Sequence, residues 1–250
     1  MRKRVFNPSD DFQTANMMGM YNGVGAASSF ALGVGLAALT PVILGTESAV
    51  PVLPSDTGEV LLLTNGDAGN QGAIIRVDAL DADFQPVQFD VLISGVGDFL
   101  VGNIPLTRVN GARNVADRGN ELVADVTIHR PIPNAADIVA TVTAAAQESQ
   151  QAIYTVPAGR TWAVTSLVAS MRKSGGADTD VSVTLIGGAV GSVLRRVFSF
   201  GLQRSGDTTL EFTNEELQAG SSPVDLMLEV ESSAADADVS ARLTLRTVEI

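Results

Sequence analysis

Residues 152–171 read AIYTVPAGRTWAVTSLVASM, and the fold class follows from them. Ile153, Tyr154, Thr155 and Val156 are β-branched or aromatic, Pro157-Ala158-Gly159 interrupts them, and 161–168 resumes the same chemistry. Such residues fit a pleated, half-buried surface. Proline presets φ near −65° at the second position of a turn, and a glycine shortly after can take a positive φ. The stretch therefore predicts two strands folded on a tight corner. It carries no catalytic group, and it points to a binding or assembly module.

Outward from this corner, period-two alternation recurs. Val224, Leu226, Leu228 and Val230 alternate with Asp225, Met227 and Glu229, and Val239, Ala241, Leu243 and Leu245 alternate with Ser240, Arg242 and Thr244. Each strand should have one buried and one wet face, and 232–238 should connect them as a terminal hairpin. Between the corner and that hairpin, 180–186, 193–200 and 208–212 read as further strands. Upstream, 59–64, 73–80, 87–93, 104–109, 122–128 and 138–143 read as short strands separated by turns, with 94–97 ending one of them and 111–120 a polar loop. Short strands at this spacing predict a sandwich or barrel. The expected fold is mainly β: two β-sandwich domains of Ig-like or jelly-roll-like type, residues 56–148 and 149–250, behind an extended N-terminal arm, residues 1–55.

The arm differs from the rest. Arg2, Lys3 and Arg4 open it, a polar piece follows, and no charge occurs from 13 to 46. Residues 30–44, FALGVGLAALTPVIL, are strongly apolar. A transmembrane helix needs about 20 apolar residues, and here Gly23, Gly25, Gly33, Gly35 and Pro41 interrupt a shorter run. A secretory signal places its basic region directly before the apolar core, and the polar piece 7–16 separates the two. An arm buried on neighbouring subunits is the preferred reading, with a signal or anchor as the alternative. Such an arm should be dispensable for folding and needed for assembly.

The 250 residues are 45% hydrophobic and 18% charged, with mean hydropathy +0.22. Burial against identical neighbours would account for so apolar a chain. The formal charge of −12 disfavours nonspecific nucleic-acid binding. With no cysteine, disulfides, thiolate metal sites and Cys nucleophiles are excluded. A single histidine, His129, excludes a conventional zinc site and leaves a His-based triad without support.

Candidate chemistry resolves into local structure. Asp78, Asp81 and Asp83 miss the EF-hand register, which needs acids at positions one, three and five, Gly at six and Glu at twelve. They read as solvated turn acids, as do Asp178 with Asp180 and Asp236 with Asp238. Gly175-Gly176 and Gly187-Gly188 lack the lysine and framing of a phosphate loop and read as turns. His129, before Arg130-Pro131, reads as a satisfied residue at a strand end. Arg195-Arg196, inside a strand, should point one side chain each way; with Arg172-Lys173 they read as surface charge. Trp162 reads as core. The sequence therefore offers no catalytic, cofactor-binding or metal-binding residue, and no cofactor is expected.

The opening stretch, AIYTVPAGRTWAVTSL, resembles the start of the C-terminal β-sandwich of tailed-bacteriophage virion structural proteins, marine phages especially, where IYTVPAGKTA-type openings recur. The closing stretch VDLMLEVESSAADADVSARLTLRTVEI, 224–250, resembles the last hairpin of the same family. Residues 73–95, AIIRVDALDADFQPVQFDVLISG, resemble its upstream strand pair, with Ala79 where a glycine is usual, Phe84 as the aromatic, and Gln88 where an acid is expected. The resemblance spans 59–250. It implies a non-enzymatic virion protein, made in the host cytoplasm, that assembles as a homo-oligomer with other virion proteins such as the major capsid protein or tail components. It implies no direct nucleic-acid contact and no membrane. Decoration or vertex protein on the capsid and component of the tail are both compatible. An exported carbohydrate-binding or adhesion module is the alternative from another class.

Overall fold

The alternating stretches do become strands, and their partners define the architecture. A computed structural model describes residues 24–36, 42–43, 53–131, 138–149, 153–173, 180–203, 206–211, 219–221, 223–233 and 237–249. Among these the chain is almost entirely β, with one 3-10 turn at Ala68–Asn70.

One pair of sheets is a sandwich. Its first sheet contains β1 (Val24–Leu36), β17 (Ala237–Glu249), β11 (Arg160–Lys173) and β14 (Gly206–Glu211) in that order, with β15 (Ala219–Ser221) also on β11. Its second contains β10 (Ile153–Val156), β16 (Val224–Ser232), β12 (Asp180–Ala189) and β13 (Arg195–Gln203), with β2 (Val42–Ile43) also on β16. The inward residues follow the sequence alternation. Val164, Leu167 and Ala169 of β11 meet Val183 and Leu185 of β12, Leu226 and Leu228 of β16, and Ala241 and Leu243 of β17, all buried. Each such valine or leucine side chain contributes about 1.5–3 kcal/mol of transfer free energy.

The register on β16 shows how the chain is threaded. β2 pairs antiparallel with it, Val42 opposite Val230 and Ile43 opposite Glu229. β10 pairs along the same edge, from Ile153 opposite Met227 to Val156 opposite Val224. Only Leu228 lies between the two pairings, so β2 and β10 form one strand line that the chain leaves after Ile43 and rejoins at Ile153. If that line is taken as one strand and the short β15 is set aside, the sandwich strands number one to eight in chain order. The sheet orders are then 1-8-3-6 and 2-7-4-5, the two interlocked Greek keys of a jelly roll.

The excursion between Ile43 and Ile153 builds its own pair of antiparallel sheets. One has the order β6 (Gly97–Leu100), β3 (Leu62–Asn65), β8 (Val126–His129), β9 (Ile138–Val142); the other has β5 (Pro86–Leu92), β4 (Ile74–Asp81), β7 (Leu106–Asn114). Leu61, Leu63, Ile75, Val77, Ile93, Leu106 and Ile128 are among the fully buried residues of a second hydrophobic cluster, separate from that of the sandwich.

Three expectations change. Pro157–Gly159 is a corner, with Gly159 at φ 73°, but β10 and β11 lie in different sheets and do not pair. β16 and β17 likewise belong to opposite sheets, so 232–238 crosses the sandwich and the terminal hairpin does not exist. Alternation identifies a buried face without naming the neighbouring strand, so adjacent strands in sequence were read as partners. Finally, the arm is extended as expected, yet its residues 24–36 are hydrogen-bonded to β17, from Val24 opposite Val248 to Leu36 opposite Ala237, with a bulge after Gly33. An uncharged, Gly- and Ala-rich stretch can sit at a sheet edge without presenting alternation. The remainder of the arm up to residue 52, apart from Val42–Ile43, lies outside the described residues.

Candidate functional site

A buried polar assembly joins the excursion to the outer face of the sandwich. β7 continues past its inward Leu106 to Thr107, whose hydroxyl donates to the Leu80 and Asp81 carbonyls, and to Arg108, whose side chain reaches Asp225 of β16. The Arg108 side chain is 3% exposed. Its Nε donates to Asp225 Oδ1 at 3.0 Å and its Nη2 to Asp225 Oδ2 at 3.0 Å. Nη2 also donates to Asp56 Oδ1 at 2.7 Å. Nη1 donates to the carbonyls of Thr107 at 2.7 Å and Pro54 at 3.4 Å. All five guanidinium donors thus have acceptors, which a buried arginine requires. The guanidinium carbon lies 5.7 Å from the centroid of the Phe84 ring, within cation–π range.

Burial alone would make the Arg108 cation easier to discharge. The hydrogen bonds and charges of Asp225 and Asp56 outweigh that effect and hold its pKa above the ordinary arginine value. Asp225 is itself buried and accepts a third bond, from Thr155 Oγ1 at 2.6 Å. Beside it, the Asn110 side chain closes the outer edge of β10. Its Nδ2 donates to the Thr155 carbonyl at 2.8 Å and its Oδ1 accepts from the Thr155 N–H at 2.8 Å. One amide replaces a missing strand. Ala158 N donates to the Phe84 carbonyl at 2.9 Å, tying the corner after β10 to the turn after β4. Ile153 and Met227, with Leu53, Ile186 and Leu194 packed against them, form an apolar cluster on the same outer face. This arrangement can orient one β unit on another; it presents no open acid, base or nucleophile.

The sequence-level candidates fall elsewhere. Asp81 Oδ1 accepts from the N–H groups of Asp83 and Gln85 and so shapes its turn. Asp78 accepts from Gln88 Nε2. No group of three potential metal-ligating side chains gathers among the described residues. Trp162 is buried in the sandwich core, with its Nε1 lacking a hydrogen-bond partner. Arg195 and Arg196 are both exposed, beside an irregularity at Val197, which is left unpaired between Arg196 opposite Ile186 and Phe198 opposite Leu185. His129 is the last residue of β8, at a strand end as expected, and its ring is hydrogen-bonded. Gly187 and Gly188 lie within β12, not in a turn. Asp180 is exposed. Asp178, Asp236, Gly175 and Gly176, and the side chains of Arg172 and Lys173, are outside the described residues.

Arg108 and Asp225 were not singled out in the sequence. Asp225 and Met227 lie on the face of β16 read as wet, and the excursion covers that face. Arg108 lies in a strand that also carries Thr107, Asn110, Arg113 and Asn114, so nothing in the sequence marks it out or names a partner 117 residues away.

No helix among the described residues is long and apolar enough to cross a membrane. No family model and no curated protein matches the chain. Solved structures that overlay on it include cowpea mosaic virus top component, naturally occurring empty particles, at 12% identity, TM-score 0.22, covering 75% of this chain and 82% of that one. Others are infectious bursal disease virus Gt strain, at 12% identity, TM-score 0.24, covering 91% and 73%, and broad bean stain virus, at 12%, 0.23, 78% and 89%. Overlays with TM-scores this low do not establish a shared fold, and no property of those particles carries over to this chain.

Proposed function

We propose that the chain is a non-enzymatic virion structural protein of the tailed-bacteriophage type. It acts by assembling with copies of itself and with neighbouring virion proteins, as a decoration or vertex protein on the capsid or as a component of the tail. The observation that carries this reading is where the phage-like stretches fall. They supply β10 with its partner β16 and β11 with its partner β17, the pairs around which both sheets of a jelly-roll-ordered sandwich are laid out. Large apolar side chains left in solvent, Val193 at 80% and Leu100 at 60% exposure among them, offer surface for burial against neighbours. In this reading the middle domain, residues 56–148, is an insert. The residues before it and the C-terminal domain, 149–250, share one sandwich. The Arg108 junction fixes the angle at which the insert projects.

Mass spectrometry of particles purified from the source of the sequence tests the proposal. The expected result is the chain at stoichiometric abundance with its N-terminal peptide intact. Recovery in an exported fraction, cleaved after the apolar run, would support the carbohydrate-binding or adhesion module instead.

A further inference from the structure

Outside the junction, one cluster in the insert has more hydrogen-bond contacts than its neutral side chains have protons. His129, on β8, is buried. Its Nδ1 lies 2.6 Å from the carbonyl oxygen of Arg130. Its Nε2 lies 2.5 Å from Thr64 Oγ1 on β3, which lies 2.5 Å from Asp98 Oδ1 on β6. A carbonyl only accepts, so Nδ1 carries a proton. The Thr64 hydroxyl has a single hydrogen. With a neutral ring it can donate to Nε2 or to Asp98, and the other contact would set lone pair against lone pair at 2.5 Å. A third proton completes the chain: Nε2–H donates to Thr64 Oγ1, and Thr64 O–H donates to Asp98.

Two places could hold that proton. The Asp98 side chain is 51% exposed, so water stabilises its carboxylate, and that carboxylate lies 4.0 Å from Nε2 as a counter-ion. We infer that the proton sits on the ring, and that β8, β3 and β6 are clamped together by a His129 imidazolium, with Thr64 as relay and Asp98 as anion. The other charged groups beside this site, Glu59 and Arg130, are bound to each other in a two-point pair. Leu62 and Ile138, opposite His129 in the β3 and β9 ladders, are uncharged. The clamp fastens β6, the edge strand that carries the exposed Leu100.

Because the chain has one histidine, its imidazole nitrogens report the state directly. Nitrogen-15 NMR of the full chain at about pH 7.5 should show both ring nitrogens protonated. Thr64→Val and Asp98→Asn should show a neutral ring at that pH, and Thr64→Ser, which restores the hydroxyl, should return the imidazolium. A melt of each variant establishes that it is folded. A neutral ring in the unaltered chain overturns the inference, as does the same ring state in all four proteins or a protonated Asp98 carboxyl beside a neutral ring.

Discussion

Arg108 and Asp225 sit where two β units meet, and each depends on the other for its charge to be tolerable. Removing one partner leaves a buried, uncompensated charge, which typically costs about 3–5 kcal/mol, whereas replacing both with apolar groups of similar size is often neutral. Arg108→Met should therefore lower the stability read from urea unfolding by about that amount. Arg108→Met with Asp225→Leu should recover most of the loss. An equal loss in single and double variants would show that the pair is not coupled. A second pair acts at lower pH. The Arg130 guanidinium, hydrogen-bonded to Glu59, holds its carboxyl below the ordinary carboxylate value, against the opposing effect of burial. Because the folded-state value is depressed, that stabilisation is complete above the unfolded carboxylate range near 4.3 and is lost as pH falls through the folded value. The urea midpoint of the unaltered chain should fall in that acid window more steeply than that of Glu59→Gln. Superimposable acid limbs would contradict the assignment.

At the scale of elements, the corner between β10 and β11 shows what the sequence could and could not disclose. Pro157-Ala158-Gly159 announced a corner, and Gly159 does take a positive φ, 73°, with open space around the position of a side chain. Gly159→Ala should accordingly cost about 1–2 kcal/mol from backbone strain alone, measured as a lower melting temperature. No change would mean that the corner relaxes. Which sheet each arm of the corner joins was not legible, because a period of two reports a face and not a neighbour. The same limit hid the crossing from β16 to β17. β6 was missed because Gly97 opens a strand of four residues that reads as a turn. β1 was missed because Gly, Ala and Ser on both faces leave no alternation to read. Its thirteen residues carry a consequence. The sequence alone suggests that a chain lacking the arm still folds, whereas the ladder to β17 predicts that deleting residues 1–36 exposes a central strand as an edge. That deletion should lower the cooperative melt or produce aggregation. A melt unchanged from the full chain would show that β1 contributes nothing to the sandwich.

At the scale of the whole molecule, a jelly roll is completed by strands from both ends of the chain, and a second β unit is inserted in one strand line. A division near residues 56 and 149 is what the change of segment leads one to expect; that β2 and β10 share one strand line on β16 was not legible, because Ile43 and Ile153 are more than a hundred residues apart in sequence. With the register as observed, joining Leu44 directly to Ile153 sets one residue opposite Leu228 and closes the line. A chain lacking 45–152 should fold with a β-type circular dichroism spectrum and a cooperative melt, once Met227 and Asp225, which the insert covers, are replaced by polar residues. An unfolded product would show that the sandwich needs its insert. Assembly is the central claim, and sedimentation velocity of the full chain across the micromolar range tests it most directly. The account predicts a discrete species at a closed multiple of the 25.9 kDa subunit mass; a single monomeric boundary at every concentration would contradict it.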